Sequence, residues 1–525
     1  MKPRHHTTDH EAETTTAEIV QWVQALMDLH TRIAPRFARP EPRRRALAYL
    51  QGLMSEIERK NGWQLAEHAR EATPYGMQRL LSQAVWDDGL VREDLRDYVS
   101  QHLGSLGVIL VIDETSFPKR GDKSAGVQEQ YCGTSGQIEN CQVAVFLDYV
   151  TALGHTLIDC ELYLPAQWID DRERCHQAGI PDTVGFQTKC ELAREMVERV
   201  WNAQIPVSWV VADTVYGNNL DLRTWLEDHS YFHVLAVACK EPVGIQTPNG
   251  RKYVEVRQVE ALLLHAQDWQ RLSMGDGTKG PRLFDWVCVP ILHRWEDDGE
   301  HWLLMRRCIK DASQKAYYFV FAPPTTTLQE MVKAIGARWR IEDDFETSKA
   351  MGLADSEVRC FIGWYRHITL VMLAHAFLAI VCVQAHTATV VDAYPSPTSC
   401  TPSSIRVGDA SPPLLVSGLA PPLIPDPQEA CMLPAPQATL LPAPHLPLII
   451  PTSQQVSLRP SAVALPSPPV INPAPLTIPE VRHLLGHLIW PSPCNAKLVL
   501  AWSKWRRRHR GMAQYYHTKR RLEAG

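Results

Sequence analysis

The stretch Ala334–Gly352 reads A-I-G-A-R-W-R-I-E-D-D-F-E-T-S-K-A-M-G, contains no proline and predicts one helix that ends near Gly352. At about 100° per residue, Arg338, Glu342 and Lys349 fall within roughly 40° of one another. They share a predicted core-facing stripe with apolar residues, namely Met331, Ile335, Ile341 and Phe345. The other polar residues are predicted to face solvent, namely Arg340, Asp343, Asp344 and Thr347.

A carboxylate on a core-facing stripe needs a partner, because burying an unpaired charge is costly. Two interpretations of Glu342 are open on this basis. It either holds a metal ion together with other acids, or forms an i,i+4 ion pair with Arg338 at the edge of the helix. The rest of the chain must decide between them.

Composition limits the class of protein. The chain has 525 residues, 45% of them hydrophobic, and a formal net charge of −5, which is typical of a globular protein of roughly two to four domains. The 13 cysteines form no C-x-x-C pair, which indicates reduced thiols in the cytoplasm. The N-terminus has no apolar signal-peptide region, and the apolar run Ile368–Val383 is predicted to be a buried core helix. We therefore expect a cytoplasmic protein without a membrane segment.

Residues 17–103 have helical patterning. A basic cluster contains Arg36, Arg39, Arg43, Arg44 and Arg45. A pair of short helices is predicted within Trp63–Gln83, with a break near Ala72. Such a pair suits a DNA-reading helix-turn-helix but is also a common packing unit, and the arginines favour DNA binding.

Two apolar runs each end in an acid. In G-V-I-L-V-I-D-E-T the apolar run is followed by Asp113, and in V-S-W-V-V-A-D-T-V-Y-G it is followed by Asp213. Continuous apolar runs of this kind are expected of buried strands. Further strands and helices around them predict a layered α/β core. Acids at strand ends converge where ligands bind, and three carboxylates from separate elements can hold Mg²⁺. We therefore predict that Asp113, Asp213 and Glu342 meet at a metal site, although a strand-end Asp can also simply form a turn.

Residues 241–315 carry turn signals between short segments and predict an inserted, mainly β region. Between Val390 and Pro479 lie 22 of the 39 prolines, which predicts an extended or disordered linker. A short helix at Ile478–Trp490 and a basic tail rich in aromatic residues complete the chain.

The stretch R-W-R-I-E-x-x-F-E-x-x-K resembles the signature of bacterial insertion-sequence transposases, which have a D-D-E site on a ribonuclease H-like fold. One subgroup has Tyr, Arg, Glu and Lys at fixed spacing. Arg338, Glu342 and Lys349 match, and Ile335 stands where Tyr is expected. The surroundings of Asp113 (V-I-D-E-T-S-F-P-K-R-G) and of Asp213 (V-V-A-D-T-V-Y-G) are similar to the first-Asp and second-Asp regions of these enzymes.

The resemblance implies cut-and-paste DNA transposition. It makes Asp113, Asp213 and Glu342 the catalytic acids and the ligands of two Mg²⁺ ions, which Mn²⁺ can replace. DNA phosphates would be held by Arg338, Lys349, Arg43, Arg44 and Arg45, and the partners would be transposon ends, target DNA and a second copy of the chain. Glu346 is the chief rival of Glu342 as third acid. The protein would act in a bacterial cytoplasm, on the nucleoid.

The predicted layout has six segments: a helical DNA-binding domain (1–104), a ribonuclease H-like core in two parts (105–240 and 316–388), a β-rich insertion (241–315), a disordered Pro-rich linker (389–477) and a C-terminal helix with a basic tail (478–525). Two other functions are compatible with the sequence. One is a ribonuclease H-like nuclease without strand transfer, and the other is a domesticated DNA-binding protein that keeps the fold but not the activity.

Overall fold

The computed structural model describes residues 16–105, 107–277, 280–293, 298–393 and 476–490, together with Trp502 and Trp505. All of these except the two tryptophans belong to one compact unit. In the second unit the rings of Trp502 and Trp505 pack at 5.4 Å, at a steep angle. The predicted Pro-rich linker and most of the basic tail lie outside the described residues.

The N-terminal part is helical. Its helices are α1 (Thr16–Ile33), α2 (Pro40–Met54), α3 (Gly62–His68), α4 (Tyr75–Ser82) and α5 (Asp88–Leu103), with a short 3₁₀ turn at Ala34–Arg36. The predicted break near Ala72 separates α3 from α4. Asn61 caps α3 by accepting hydrogen bonds from the backbone N–H groups of Trp63 and Gln64.

The central region alternates strands and helices. Its elements are β1 (Ile109–Pro118), β2 (Gln128–Cys132), β3 (Gln137–Val150), β4 (His155–Tyr163), α6 (Ala166–Asp170), α7 (Arg172–Gln177), α8 (Lys189–Asn202), β5 (Trp209–Ala212), α9 (Thr214–Gly217), α10 (Leu220–Asp228) and β6 (His233–Val237). A reciprocal capping box between Thr188 and Glu191 begins α8. The mixed α/β architecture predicted from the sequence is confirmed.

The remaining elements are β7 (Pro242–Thr247), β8 (Gly250–Glu255), α11 (Val256–Leu263), β9 (Gln270–Gly277), β10 (Gly280–Pro290), β11 (His301–Arg307), β12 (Lys315–Phe321), α12 (Leu328–Gly336), α13 (Trp339–Ala350), α14 (Phe361–Ala393) and α15 (Ile478–Leu484). A 3₁₀ turn at Ala266–Asp268 precedes β9, and a π-helical turn at Leu485–Ile489 follows α15.

One large sheet organises the molecule. The described strands run in the order β2-β3-β1-β5-β6-β12-β11-β10-β9, and β4 pairs with β3. Strand β1 is antiparallel to β3 and parallel to β5, which is parallel to β6. Three strands of the predicted insertion therefore extend the core sheet through β12, whereas β7 and β8 form a separate two-stranded sheet.

Helix α14 is the predicted core helix. The segment Phe361–His386 is long and apolar enough to cross a membrane, with a mean hydropathy of 2.2, but 83% of its most apolar window is buried inside the protein. Its polar residues bind neighbouring elements. Arg366 donates to the backbone carbonyls of Leu81 and Trp86, at 3.1 and 2.6 Å. These bonds attach α14 to the N-terminal helices.

A buried ion cluster joins α5, β4 and α8. The Asp159 carboxylate is fully buried and contacts Arg92, Arg96 and Arg199 at 3.4, 3.0 and 2.7 Å. Burial alone raises the pKa of Asp159, but the three guanidinium groups outweigh it and hold the pKa below its usual value.

We expect Asp159→Ala to lower the free energy of unfolding by about 3–5 kcal/mol, because it leaves buried arginines without their anion. Chemical denaturation at neutral pH measures this. The effect must shrink as the pH falls through the folded-state pKa of Asp159, since a depressed pKa contributes stability only while the group is ionised. Asp97→Ala, at an exposed position of α5, the helix that carries Arg92 and Arg96, is the control. Equal stability of both variants would contradict the assignment.

Candidate active site

Asp113 and Asp213 lie side by side at the centre of the sheet. Strands β1 and β5 are parallel, and Ile112 pairs with Ala212. The two aspartates are the next residues: Asp113 is within β1, and Asp213 directly follows the end of β5. Neighbouring strands are about 4.8 Å apart. The Asp213 carboxylate also caps α9 by accepting a hydrogen bond from the Val215 N–H at 2.9 Å.

This arrangement is electrostatically costly. The side chain of Asp113 is 15% exposed, and burial raises its pKa to about 7, with Asp213 adding to the rise and Arg338 opposing it. Burial likewise raises the pKa of Asp213, and the carboxylate of Glu114 raises it further. Two adjacent, partly desolvated carboxylates need positive charge nearby.

Arg338 supplies part of that charge and connects Glu342 to the strands. Its Nη1 donates to Asp113 Oδ2 at 2.7 Å, and its Nη2 donates to Glu342 Oε1 at 3.2 Å. The predicted i,i+4 pair between Arg338 and Glu342 is therefore present, but the same guanidinium also binds the acid on β1.

Sequence reasoning missed Glu114, the residue after Asp113. Its carboxylate accepts a hydrogen bond from the Tyr216 hydroxyl and pairs with Lys189 Nζ, both at 2.6 Å. The D-E pair in the sequence was a possible signal. Successive side chains of a strand, however, point to opposite faces of the sheet, so only Asp113 of this pair was assigned to the site. Glu114 increases the negative charge next to Asp213.

Lys349 lies elsewhere on the same helix. It is in the last turn of α13, and its Nζ donates to Thr134 Oγ1 at 3.2 Å, in the turn between β2 and β3. Burial lowers its pKa. Its ammonium group is thus at the far end of the helix from Arg338.

The prediction of one continuous helix through Ala334–Gly352 is wrong. Helix α12 ends at Gly336 and α13 begins at Trp339. Around the junction, the N–H groups of Arg338 and Arg340 bond to carbonyls three residues back, those of Ile335 and Ala337. This tighter winding rotates all later side chains relative to an ideal helix.

The rotation changes which acids are buried. Asp344, predicted to face solvent, is 1% exposed, whereas Glu342 is 39% exposed at the edge of the buried face. Glu346 is exposed. Ile335, at the position where the resemblance expects Tyr, is buried in α12.

The arginine cluster is only partly available to a ligand. Arg45 pairs with Glu71 at 2.7 Å, and Arg43 donates to the Phe37 carbonyl at 3.2 Å. Arg36 forms a two-bond pair with Asp94. Arg44, near the start of α2, is exposed.

The donor set suits hard dications. Carboxylate oxygens are the preferred protein ligands of Mg²⁺. Burial raises the pKa values of Asp113 and Asp213, and neighbouring carboxylates raise them further. Among the described residues, three clusters of His, Asp and Glu side chains have ligand atoms that lie within 4.8 Å of one another. The set Asp113, Asp213 and Glu342 is not one of these clusters. Instead, Arg338 lies between Asp113 and Glu342.

Comparisons with known proteins agree with these motifs. Residues 32–281 match the family model of the DDE superfamily endonucleases, a range that includes Asp113 and Asp213 but not Glu342. A probable transposase for insertion sequence element IS701, from Microchaete diplosiphon, is 31% identical over 176 residues. That match spans 33% of this chain and 43% of the relative, so less than half of the relative is covered.

Among solved structures, a piggyBac transposase synaptic complex with hairpin DNA aligns with 74% of this chain and 75% of that chain, at 12% identity and a TM-score of 0.35. The sequence matches, over residues 32–281 and over a stretch of 176 residues, show that this chain is similar to DDE superfamily endonucleases and to a probable insertion-sequence transposase.

Proposed function

We propose that this protein is a DNA transposase that binds the terminal inverted repeats of an insertion sequence, cleaves DNA there and joins the freed ends to a target. The observation that carries the proposal is the register of β1 and β5, which makes Asp113 and Asp213 neighbours, with Glu342 joined to Asp113 through Arg338. The proposal includes a ribonuclease H-like core. Its support is the run of antiparallel strands β1, β3 and β4, followed by parallel β5 and β6.

In this proposal Asp113, Asp213 and Glu342 hold two Mg²⁺ ions, which Mn²⁺ can replace. When bound, such ions stabilise the attacking and leaving oxygens of an in-line phosphoryl transfer. Arg338 orients Asp113 and Glu342 through its two hydrogen bonds. Once bound cations neutralise these carboxylates, its guanidinium group can also bind a DNA phosphate. Lys349 is proposed to contact the DNA backbone further along α13.

We further propose that two copies act together on paired transposon ends in a bacterial cytoplasm, at the nucleoid. The six-segment domain layout is part of the same proposal. The Pro-rich segment would add reach between the core and the basic tail, without contributing to the chemistry.

The direct test is an assay on labelled DNA carrying the inverted repeats that border the gene. With Mg²⁺ present, we expect cleavage at the repeat ends and products joined to a target plasmid. Cleavage without joined products would instead identify a nuclease. Binding without cleavage, in Mg²⁺ or Mn²⁺, would identify a DNA-binding protein and overturn the proposal.

Arg44 should be a phosphate contact of the N-terminal helices. The proposed DNA-binding set includes Arg43 and Arg45, but both already bind protein groups, whereas Arg44 is exposed. Each phosphate contact releases about 0.9 counterion, so Arg44→Ala should reduce the slope of log affinity against log salt concentration by about 0.9.

Fluorescence anisotropy on repeat DNA between low and moderate salt measures that slope. Lys310→Ala removes the same charge from the exposed turn between β11 and β12 and serves as the control. An identical slope in both variants would show that Arg44 does not contact the DNA backbone.

A further inference from the structure

A second group of acids lies beneath the helix that carries Glu342. Asp148 on β3, His155 at the start of β4 and Asp344 on α13 have ligand atoms that all lie within 4.8 Å of one another. We call these three residues the anchor cluster. Within it, His155 Nδ1 and Asp344 Oδ1 are 2.8 Å apart.

The anchor cluster has more buried carboxyl oxygens than the surrounding donor groups satisfy. Asp148 is fully buried, and neither of its carboxylate oxygens has a hydrogen-bond partner. Asp344 is 1% exposed, and its Oδ2 is also without one. Buried polar atoms in folded proteins are nearly always paired, so these three oxygens require either a proton shared between the two adjacent carboxyls or a bound cation.

The surrounding side chains do not fill this role. His375 approaches Asp344 Oδ1 at 3.4 Å, but both of its nitrogens face hydroxyl groups at 2.8 Å, those of Thr156 and Thr347. Among the described ion pairs, those of Asp344 are with His155 and His375, and Asp148 has none.

We propose that the anchor cluster is a structural metal site that binds one divalent transition-metal ion, distinct from the catalytic ions. Two carboxylates and one imidazole form a mixed oxygen and nitrogen donor set, which suits an ion such as Mn²⁺ better than the all-oxygen preference of Mg²⁺ or Ca²⁺. The ion would use the unpaired oxygens of both aspartates and the Nδ1 atom of His155.

The site would fix the catalytic helix in place. Glu342 and Asp344 are two residues apart on α13, so their side chains project about 200° apart around the helix axis. An ion at Asp344 would attach the inner face of α13 to β3 and β4, while Glu342 lies on the opposite side of the helix, paired with Arg338. The anchor cluster therefore positions the helix and does not touch the reacting atoms.

The test uses the full-length protein with Asp113→Asn and Asp213→Asn, which removes the proposed catalytic ligands. After treatment with a chelator and reloading, Mn²⁺ is counted by electron paramagnetic resonance, because thiolates bind Mn²⁺ less readily than Zn²⁺. We expect one Mn²⁺ per chain, an imidazole nitrogen coupling to it, and a rise in Tm of about 3 °C or more.

Adding Asp344→Asn to this protein should weaken Mn²⁺ binding at least tenfold, and His155→Gln should remove the imidazole coupling. Asp343→Asn, which removes the charge of the neighbouring, more exposed carboxylate, should leave both signals unchanged. If the protein with only Asp113→Asn and Asp213→Asn binds no Mn²⁺, Asp148 and Asp344 share a proton instead, and the proposal fails. This outcome does not depend on whether the further variants fold. Full binding by a folded Asp344→Asn variant would overturn it as well.

Discussion

Replacing Glu342 with Gln should lower cleavage of transposon ends by on the order of 10³-fold or more, while binding to those ends stays close to wild type. The substitution keeps the shape of the side chain and removes the charge that would hold a cation. At 39% exposure, Glu342 contributes little to packing, and its 3.2 Å pair with Arg338 is partly solvated. A loss of activity would therefore not come from unfolding.

Glu346→Gln is the matched control for this prediction. Glu346 lies one turn later on α13, is exposed and is the alternative third acid of the sequence motif. Single-turnover cleavage in excess Mg²⁺, together with a binding titration on the same DNA, separates chemistry from affinity. If Glu346→Gln abolishes cleavage and Glu342→Gln does not, the third acid has been assigned to the wrong residue.

The sequence predicted the strand positions of the site because buried parallel strands have a clear pattern. Continuous apolar runs ending in an acid located Asp113 and Asp213, and the structure makes these residues neighbours through the pairing of Ile112 with Ala212. Motif spacing selected Glu342 and Arg338, which the structure connects through one guanidinium. Their roles in metal binding stay predictions.

The helical wheel failed where local winding departs from the ideal. A wheel assumes one axis and 3.6 residues per turn, whereas the chain tightens between Ile335 and Arg340. There α12 passes so close to the backbone of Met274 that a Cβ atom on Gly336 would lie 2.1 Å from its carbonyl oxygen. This contact with β9 is long-range, so the sequence pattern does not reveal it. The ideal wheel also placed Asp344 on the solvent side, whereas it is buried.

The continuity of the sheet was also beyond sequence reasoning. Turn signals in the sequence favour short strands after β6, but strand pairing depends on partners far away in the chain. Strand β12 pairs with β6, which brings β11, β10 and β9 into the core sheet. Glu114 was missed for a related reason, because its partners Lys189 and Tyr216 come from two other elements.

Removing the Arg338 side chain should move the pH dependence of cleavage upward by about one pH unit or more. Asp113 must be ionised to hold a cation. Burial raises its pKa to about 7, and the guanidinium of Arg338, 2.7 Å away, opposes that rise. In the wild type, cleavage should therefore increase as the pH passes through about 7. In Arg338→Ala the increase should occur at higher pH, with at least about tenfold less cleavage at neutral pH.

Two further results follow from the same electrostatics. Higher Mn²⁺ concentration should shift both profiles to lower pH, because the cation and the proton compete for the Asp113 carboxylate. The folded state without metal should lose stability as the pH rises from the unfolded-state pKa of Asp113 toward 7, because its raised pKa means that the folded form binds the proton more tightly. Arg340→Ala, at an exposed position of α13 paired with Asp343 at 3.7 Å, should leave the cleavage profile unchanged. If Arg338→Ala lowers cleavage equally at every pH, Arg338 acts on the DNA phosphate alone and not through Asp113.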